Sequence, residues 1–189
     1  DISRDEDYRA NDREFAGIVK NYLKYESGKL ELNEWVEEAI RRISHLREVD
    51  DRNEFYFLAH AHICLIGKRL EEAKWLLESY NYNRFAIGKD VELSSYYLYL
   101  TTLLSNDTIG QRKVAEELSK SFMKHPDSWK ILCMLVEVDS EYKIYSERLR
   151  ALEKQFYDEK SHSVWFYLQA FKCYREKSSS LKKLGMFEV

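Results

Sequence analysis

The stretch "FYFLAHAHICLIGKRLEEAKWLLESY", residues 55–80, carries the pattern that decides the fold. Apolar side chains recur at spacings of three and four residues on both sides of Gly67, which is the periodicity of an α-helix with a buried face. Gly67 falls between the two apolar runs, where a helix end needs a permissive backbone. The stretch therefore predicts two antiparallel helices joined by a short turn.

The same periodicity runs through nearly the whole chain and predicts about ten helices. Connections of two to eight residues between them favour antiparallel neighbours. One run, "VELSSYYLYLTTLL", is rich in residues that also suit strands, but its length and the lack of a partner strand favour a helix. The apolar runs lie at residues 15–23, 35–46, 55–65, 70–80, 91–104, 114–122, 129–138, 142–156, 164–174 and 181–187.

Helix boundaries follow from the polar residues and glycines between these runs. Asn11 with Glu14 resembles a capping box before the first helix, and Asn33 is a plausible cap for the second. Gly28 and Gly110, like Gly67, are expected between helices. A stop at Pro126 is expected to be followed by a new cap at Asp127 or Ser128.

Composition bounds the class of protein. The chain has 189 residues, of which 33% are charged and 44% apolar, with a net charge of −3. These values favour a soluble, folded domain over a disordered, membrane-spanning or dedicated nucleic-acid-binding one. Three cysteines without a close pair suggest buried thiols in a reducing compartment rather than disulfides, so we expect a cytoplasmic location. The chain lacks an initiator Met and ends on apolar residues, so we expect a fragment of a longer protein; its oligomeric state stays open.

Each predicted helix pair begins with a bulky residue, and these residues are spaced at irregular intervals within the range of helical repeats. Sliding residues 55–80 onto 97–122 aligns apolar positions at an offset of 42 residues. A helix pair cannot bury its apolar face alone, so such pairs stack on one another. Each buried anchor of this kind contributes roughly 1.5–3 kcal/mol. The anchors are Phe15, Phe55, Tyr97, Trp129 and Trp165.

The pattern resembles the tetratricopeptide-repeat (TPR) family. That family opens its first helix with Trp-x-x-Leu-Gly-x-x-Tyr and places a small Ala and an aromatic in its second helix. "FYFLAHAH" (residues 55–62) and "FAGIVKNY" (residues 15–22) keep the aromatic and aliphatic positions, and Ala73 with Tyr80 matches the second helix. The Gly is mostly missing. The resemblance implies an all-α superhelix of about five antiparallel hairpins over residues 13–189. The excess of acidic residues separately predicts an acidic, flexible segment at residues 1–12.

In the resembled family the first helix of each pair lines a concave groove that binds a peptide. Carried over by position from each anchor, the resemblance implies a partner-binding groove of mixed polar and apolar character. The lysine and asparagine set with which some members clamp a peptide carboxylate is absent. The implied groove residues are Arg13, Lys20, Asn53, Tyr56, His60, Leu98, Thr102, Lys130, Met134 and Phe166.

The segment His60-x-His62-x-Cys64 is the candidate for chemistry that stands out. Residues two apart on a helix point about 200° apart, so His60 and His62 cannot hold one ion together. His60 and Cys64 share a face, but two ligands fall short of the four of a structural zinc site. No phosphate loop, nucleophile elbow or HExxH motif occurs. We therefore expect no metal, no cofactor and no enzymatic activity.

These features favour a scaffold that presents a helical surface to a protein or peptide partner, or to neighbouring domains of its own parent chain. One alternative is binding of nucleic acid or an anionic surface through the basic stretch at residues 172–183. A less favoured alternative is an enzyme or small-ligand pocket near His60.

Overall fold

The structure is a computed structural model, and it describes residues 2–82, 90–105, 107–126 and 128–138. The predicted helices at residues 142–156, 164–174 and 181–187 lie outside these residues. So do the anchor Trp165, the groove residue Phe166 and the basic stretch at residues 172–183.

Within the described residues the fold is all-α, as the sequence predicted, with seven helices and no strand. The stretch "VELSSYYLYLTTLL" is a helix, which confirms that interpretation. The helices are α1 (Ile2–Glu26), α2 (Leu32–Val49), α3 (Glu54–Ile66), α4 (Leu70–Tyr82), α5 (Val91–Leu104), α6 (Thr108–Lys124) and α7 (Trp129–Val138).

Consecutive helices pack against each other along the chain: α1 with α2, α2 with α3, and so on to α7. In addition, α3 packs against α5, and α5 packs against α7. The odd-numbered helices from α3 onward therefore lie side by side, with α4 and α6 joining successive members. Helix α3 contacts α2, α4 and α5, so little of its circumference faces solvent.

The first core cluster joins α1, α2 and α3 around Trp35. The Trp35 side chain is fully buried, and its indole N–H donates a hydrogen bond to the main-chain oxygen of Ile18 at 3.1 Å. The Tyr22 ring packs edge-on against it, with centroids 4.8 Å apart. Burial of the large ring and satisfaction of its only polar group together fix the separation of α1 and α2.

The second core cluster contains side chains from all five helices α3 to α7, including Ala73, the small residue of the repeat pattern. Ala73 is fully buried, as is Leu58 of the facing helix. The anchors Phe55 and Tyr97 are partly buried against this cluster, and Phe15 is fully buried in the first. The Tyr80 and Tyr97 rings stack at 5.1 Å between centroids. The anchors Phe15, Phe55 and Tyr97 thus pack in the cores between neighbouring helices.

Several predicted boundaries were wrong by a few residues. Helix α1 begins at Ile2 rather than after Asn11. Residues 2–12 are therefore part of the helix and do not form a separate segment before it. The Arg, Asp, Glu and Ala residues in this range include no helix breaker. The cap of α2 is Glu31 rather than Asn33, and Gly110 lies inside α6 rather than before it. The stop at Pro126 was right, and Ser128 accepts a hydrogen bond from the Ile131 N–H at 3.4 Å.

The turn between α3 and α4 shows why tight packing, not backbone freedom, requires a glycine at position 67. The residue in the left-handed region is Lys68, with φ of 58°. The N–H of Arg69 bonds the oxygen of Cys64 at 2.8 Å, and the N–H of Lys68 bonds that of Leu65 at 3.1 Å, which together make a Schellman motif. A Cβ on Gly67 would lie 2.7 Å from Cγ1 of Val36.

Asp90 is expected to contribute measurably to the start of α5. Its carboxylate accepts hydrogen bonds from the main-chain N–H groups of Glu92 and Leu93 at 2.8 and 3.1 Å. Asp90→Ala should lower the free energy of unfolding by about 0.5–2 kcal/mol, measured by chemical denaturation. Asp90→Asn is the matched control, because an amide oxygen also caps, and it should stay close to wild type. Equal losses in both variants would contradict the capping role.

Candidate functional site

A cluster of three potential metal-ligating side chains lies where α3 and α4 meet. His60 and Cys64 are four residues apart on α3 and therefore share one face. The Schellman turn at Gly67 reverses the chain at once, which places Glu72, in the first turn of α4, beside the last turn of α3. His60 Nε2 or Nδ1, Cys64 Sγ and a carboxylate oxygen of Glu72 all lie within 4.8 Å of one another.

The polar atom at the centre of this cluster has no hydrogen-bond partner among the described residues. His60 Nε2 faces Glu72 Oε1 at 3.5 Å, a contact whose geometry does not make a hydrogen bond. The His60 side chain is only 6% exposed, whereas that of Glu72 is 30% exposed. A buried imidazole nitrogen without a partner is uncommon, because it loses its hydration on folding without compensation.

Two arginines flank the cluster, Arg47 from α2 and Arg69 from the turn between α3 and α4. Arg47, on α2, places Nη1 2.9 Å from His60 Nδ1 and stacks its guanidinium 4.3 Å from the centroid of the Phe57 ring. Arg69 pairs with Glu72 Oε2 at 2.7 Å and with Glu37 Oε1 at 3.1 Å. Arg69 thus orients the Glu72 carboxylate and leaves its other oxygen directed at His60.

The protonation states of the cluster follow from burial and these charges. Burial is the main cause that lowers the pKa of His60, the positive Arg47 and Arg69 act in the same direction, and together they bring it to about 4. Burial is also the main cause that raises the pKa of the Cys64 thiol; the negative Glu72 adds to the increase and the two arginines oppose it, and together they bring it to about 12. At neutral pH His60 is therefore an uncharged imidazole and Cys64 an uncharged thiol, so Cys64 is not an activated nucleophile.

His62 belongs to a different part of the core, as the helical geometry predicted. Its Nδ1 is 2.8 Å from the hydroxyl of Tyr96 on α5, in a fully buried contact. Its ring also packs edge-on against Tyr99 at 6.0 Å between centroids. His60 instead contacts Arg47 on α2, so the two histidines serve separate interfaces of α3.

The structure spreads the implied groove residues over very different environments. Four are buried: Tyr56, His60, Thr102 and Met134. Asn53, Leu98 and Lys130 are half-buried; Asn53 caps α3, and Lys130 pairs with Glu92 at 2.5 Å. Of the implied groove residues that the structure describes, only Arg13 and Lys20, seven residues apart on α1, are exposed. Tyr56 and His60 are buried because α3 packs against α2, α4 and α5, whereas Thr102 and Met134 are buried on α5 and α7, which pack against each other. A partner could reach these four side chains only if the helices separated.

An exposed tryptophan on α4 was not singled out by sequence reasoning. Trp75 is 60% exposed, although Trp is a residue type that folding usually covers. Glu71 and Glu78 lie four residues before and three after it and are exposed on the same side of the helix. The signal was present in the sequence: Trp75 falls on the polar side of a helix whose buried side runs through Ala73, Leu76 and Leu77.

In the part of the chain that the structure describes, the fold and the cluster define a set of consecutively packed helices with a largely buried His–Cys–Glu group. A model of the N-terminal region of DUF5717, a family of unknown function, matches residues 1–189, and the chain belongs to this family. No curated protein and no solved structure matches the chain. Among the described residues, no helix has both the length and the apolar character needed to cross a bilayer.

Proposed function

We propose that the chain is a non-catalytic scaffold of TPR-like helical pairs that presents a surface to a protein or peptide partner. The packing of α3 on α5 and of α5 on α7 supports stacked pairs, since a linear array brings the first helices of successive pairs together. A continuous array of this kind offers extended surfaces rather than a closed pocket.

The observation that carries the proposal is the exposed Trp75 between two carboxylates. Tryptophan is among the residue types most enriched at binding hot spots, because its large ring gains much from burial at a contact. Glu71 and Glu78 on the same side favour a basic side chain in the partner, which could pair with a carboxylate or lie over the indole face. We therefore propose that a partner segment with apolar and basic residues binds α4.

The test compares variants of the intact chain as bait for proteins of the source cell. Wild type should enrich a specific partner, and Trp75→Ala should recover at least about tenfold less of it, the loss typical of a hot-spot residue. Ile109→Ala, which alters another exposed apolar residue (66% exposed), is the matched control and should bind as wild type does. No enrichment over an unrelated helical protein, or equal capture by Trp75→Ala, would contradict the proposal.

The double variant Arg13→Glu, Lys20→Glu separates the α4 surface from the groove that the TPR resemblance implies. Both side chains are exposed on α1, so charge reversal there leaves the core intact. If the partner binds α4, capture by this variant should match wild type. A loss in this variant without a loss in Trp75→Ala would move the binding surface to α1.

A further inference from the structure

We propose that His60, Cys64 and Glu72 form a zinc-binding site between α3 and α4, independent of the partner surface. The donor set is an imidazole nitrogen, a thiol sulfur and a carboxylate oxygen, each of which is an established zinc ligand. Three protein ligands leave one coordination position open, which a water molecule would occupy. The sequence predicts no metal because α3 alone supplies two ligands; in the structure α4 supplies the third.

The geometry is close to what a tetrahedral zinc ion requires. Zinc–ligand bonds of about 2.0–2.3 Å at tetrahedral angles place the ligand atoms roughly 3.3–3.8 Å apart. His60 Nε2 and Glu72 Oε1 are already 3.5 Å apart. The three ligand atoms all lie within 4.8 Å, so small side-chain rotations would suffice to bring the sulfur in.

The partnerless His60 nitrogen is the independent observation that points to a ligand. His60 Nε2 lies 3.5 Å from Glu72 Oε1, in the group that also contains Cys64, and makes no hydrogen bond among the described residues. A bound ion would satisfy this nitrogen. The bound set would also be neutral overall, because one thiolate and one carboxylate cancel the double charge of zinc, and a neutral set is far less costly to bury than a charged one.

Arg69 fits the second layer of such a site, since it holds Glu72 Oε2 at 2.7 Å and leaves Oε1 to face the cluster. Groups that orient a ligand in this way commonly alter metal affinity by about 10–100-fold.

Zinc binding changes the protonation of two ligands. The Cys64 thiol loses its proton to solvent as the zinc–sulfur bond forms, and His60 loses the proton on Nε2 while taking one up on Nδ1.

Arg47 opposes the move of the His60 ring proton from Nε2 to Nδ1. A guanidinium can only donate hydrogen bonds, so its contact with His60 Nδ1 requires Nδ1 to accept and the ring proton to reside on Nε2. Zinc binding through Nε2 needs the opposite tautomer, so Arg47 must withdraw from His60. The stacking of Arg47 on Phe57 gives the guanidinium a second contact that does not involve His60.

The test uses Co²⁺ as a spectroscopic substitute for zinc, added to the full 189-residue chain after treatment with a chelator. We expect one equivalent of Co²⁺ to give visible bands of a four-coordinate ion and a near-ultraviolet sulfur-to-cobalt charge-transfer band, both abolished by one equivalent of Zn²⁺. Cys64→Ser should remove the charge-transfer band. Variants that replace Cys133 or Cys173 should retain it, which assigns the sulfur.

Glu72→Gln tests the site without disturbing the buried residues. It should weaken Zn²⁺ binding at least about 100-fold, the upper end of what second-layer changes produce. Glu71→Gln is the matched control, because Glu71 is the exposed neighbour on the same helix, and its zinc affinity should equal that of wild type. Absence of Co²⁺ binding, a spectrum without sulfur ligation, or equal affinities in the two glutamine variants would overturn the proposal.

Arg47→Gln gives a result that a merely structural cluster would not produce. The variant removes the charge and supplies an amide oxygen that can accept from His60 Nδ1–H, so zinc should bind at least about tenfold more tightly than in wild type. Thermal unfolding of the zinc-free variants checks that each is folded. Unchanged or weaker zinc binding in Arg47→Gln would overturn ligation through His60 Nε2.

Discussion

Trp35→Ala is expected to lower the free energy of unfolding by about 3–5 kcal/mol. The Trp35 side chain is fully buried between α1 and α2, and its removal leaves a cavity lined by Tyr22 and Ile18 that the rigid helices cannot close completely. The hydrogen bond from the indole to the Ile18 oxygen is lost as well. Denaturation by urea, followed by circular dichroism at the helix band, measures the change.

Trp75→Ala provides the matched control, since the same side chain is deleted at a position that is 60% exposed. Substitutions at exposed positions usually change stability by no more than about 0.5 kcal/mol. A small effect at position 75 beside a large one at position 35 would also show that any loss of partner binding in Trp75→Ala reflects the surface rather than unfolding. Similar losses at both positions would contradict the packing of α1 on α2 around Trp35.

Gly67→Ala is expected to lower the free energy of unfolding by about 1–3 kcal/mol, the usual cost of overpacking. The new methyl group would lie 2.7 Å from Cγ1 and 3.0 Å from Cγ2 of Val36, so α2 and the α3–α4 turn would have to separate. The φ of Gly67 is −77°, which alanine adopts readily, so steric contact and not backbone strain causes the loss.

A double-mutant cycle with Val36→Ala isolates that contact. Val36 is buried, so Val36→Ala alone should be destabilising, but it also removes the two methyl carbons that meet the new side chain. Gly67→Ala should therefore cost much less in the Val36→Ala background than in wild type, with a coupling energy of at least about 0.5 kcal/mol. Strict additivity would contradict the close approach of α2 to the turn.

Sequence reasoning placed the helices well because helical periodicity is a local property. The run at residues 55–65 and the run at residues 70–80 both became helices, and their ends moved by only a few residues. The caps at Asn11 and Asn33 failed for a related reason. A polar residue that can cap a helix is also tolerated inside one, so Asn11 and Asn33 do not by themselves mark a helix start. Helix α1 begins at Ile2, and the N-cap of α2 is Glu31.

The candidate site was only half visible in the sequence. The spacing of His60 and Cys64 showed that they share a face of α3, but Glu72 enters the cluster because the Schellman turn at Gly67 and Lys68 folds α4 back after so few residues. Arg47 comes from α2, and no local pattern relates it to His60. On α3, the groove that the TPR resemblance implies would need Tyr56 and His60 at an open face, and both side chains are buried.

The sequence by itself determined that the described part of the chain is all-helical, because the 3.6-residue repeat of apolar side chains dictates both the type of element and the face it buries. It also determined that the anchors Phe55 and Tyr97 would pack against the core that contains Ala73. Only the tertiary structure decided which side chains became neighbours across helices: the His60–Cys64–Glu72 cluster, its two arginines, and the exposure of Trp75. Such neighbours depend on the turn geometry and on the crossing of distant segments, and neither is encoded in the spacing of residues along one helix.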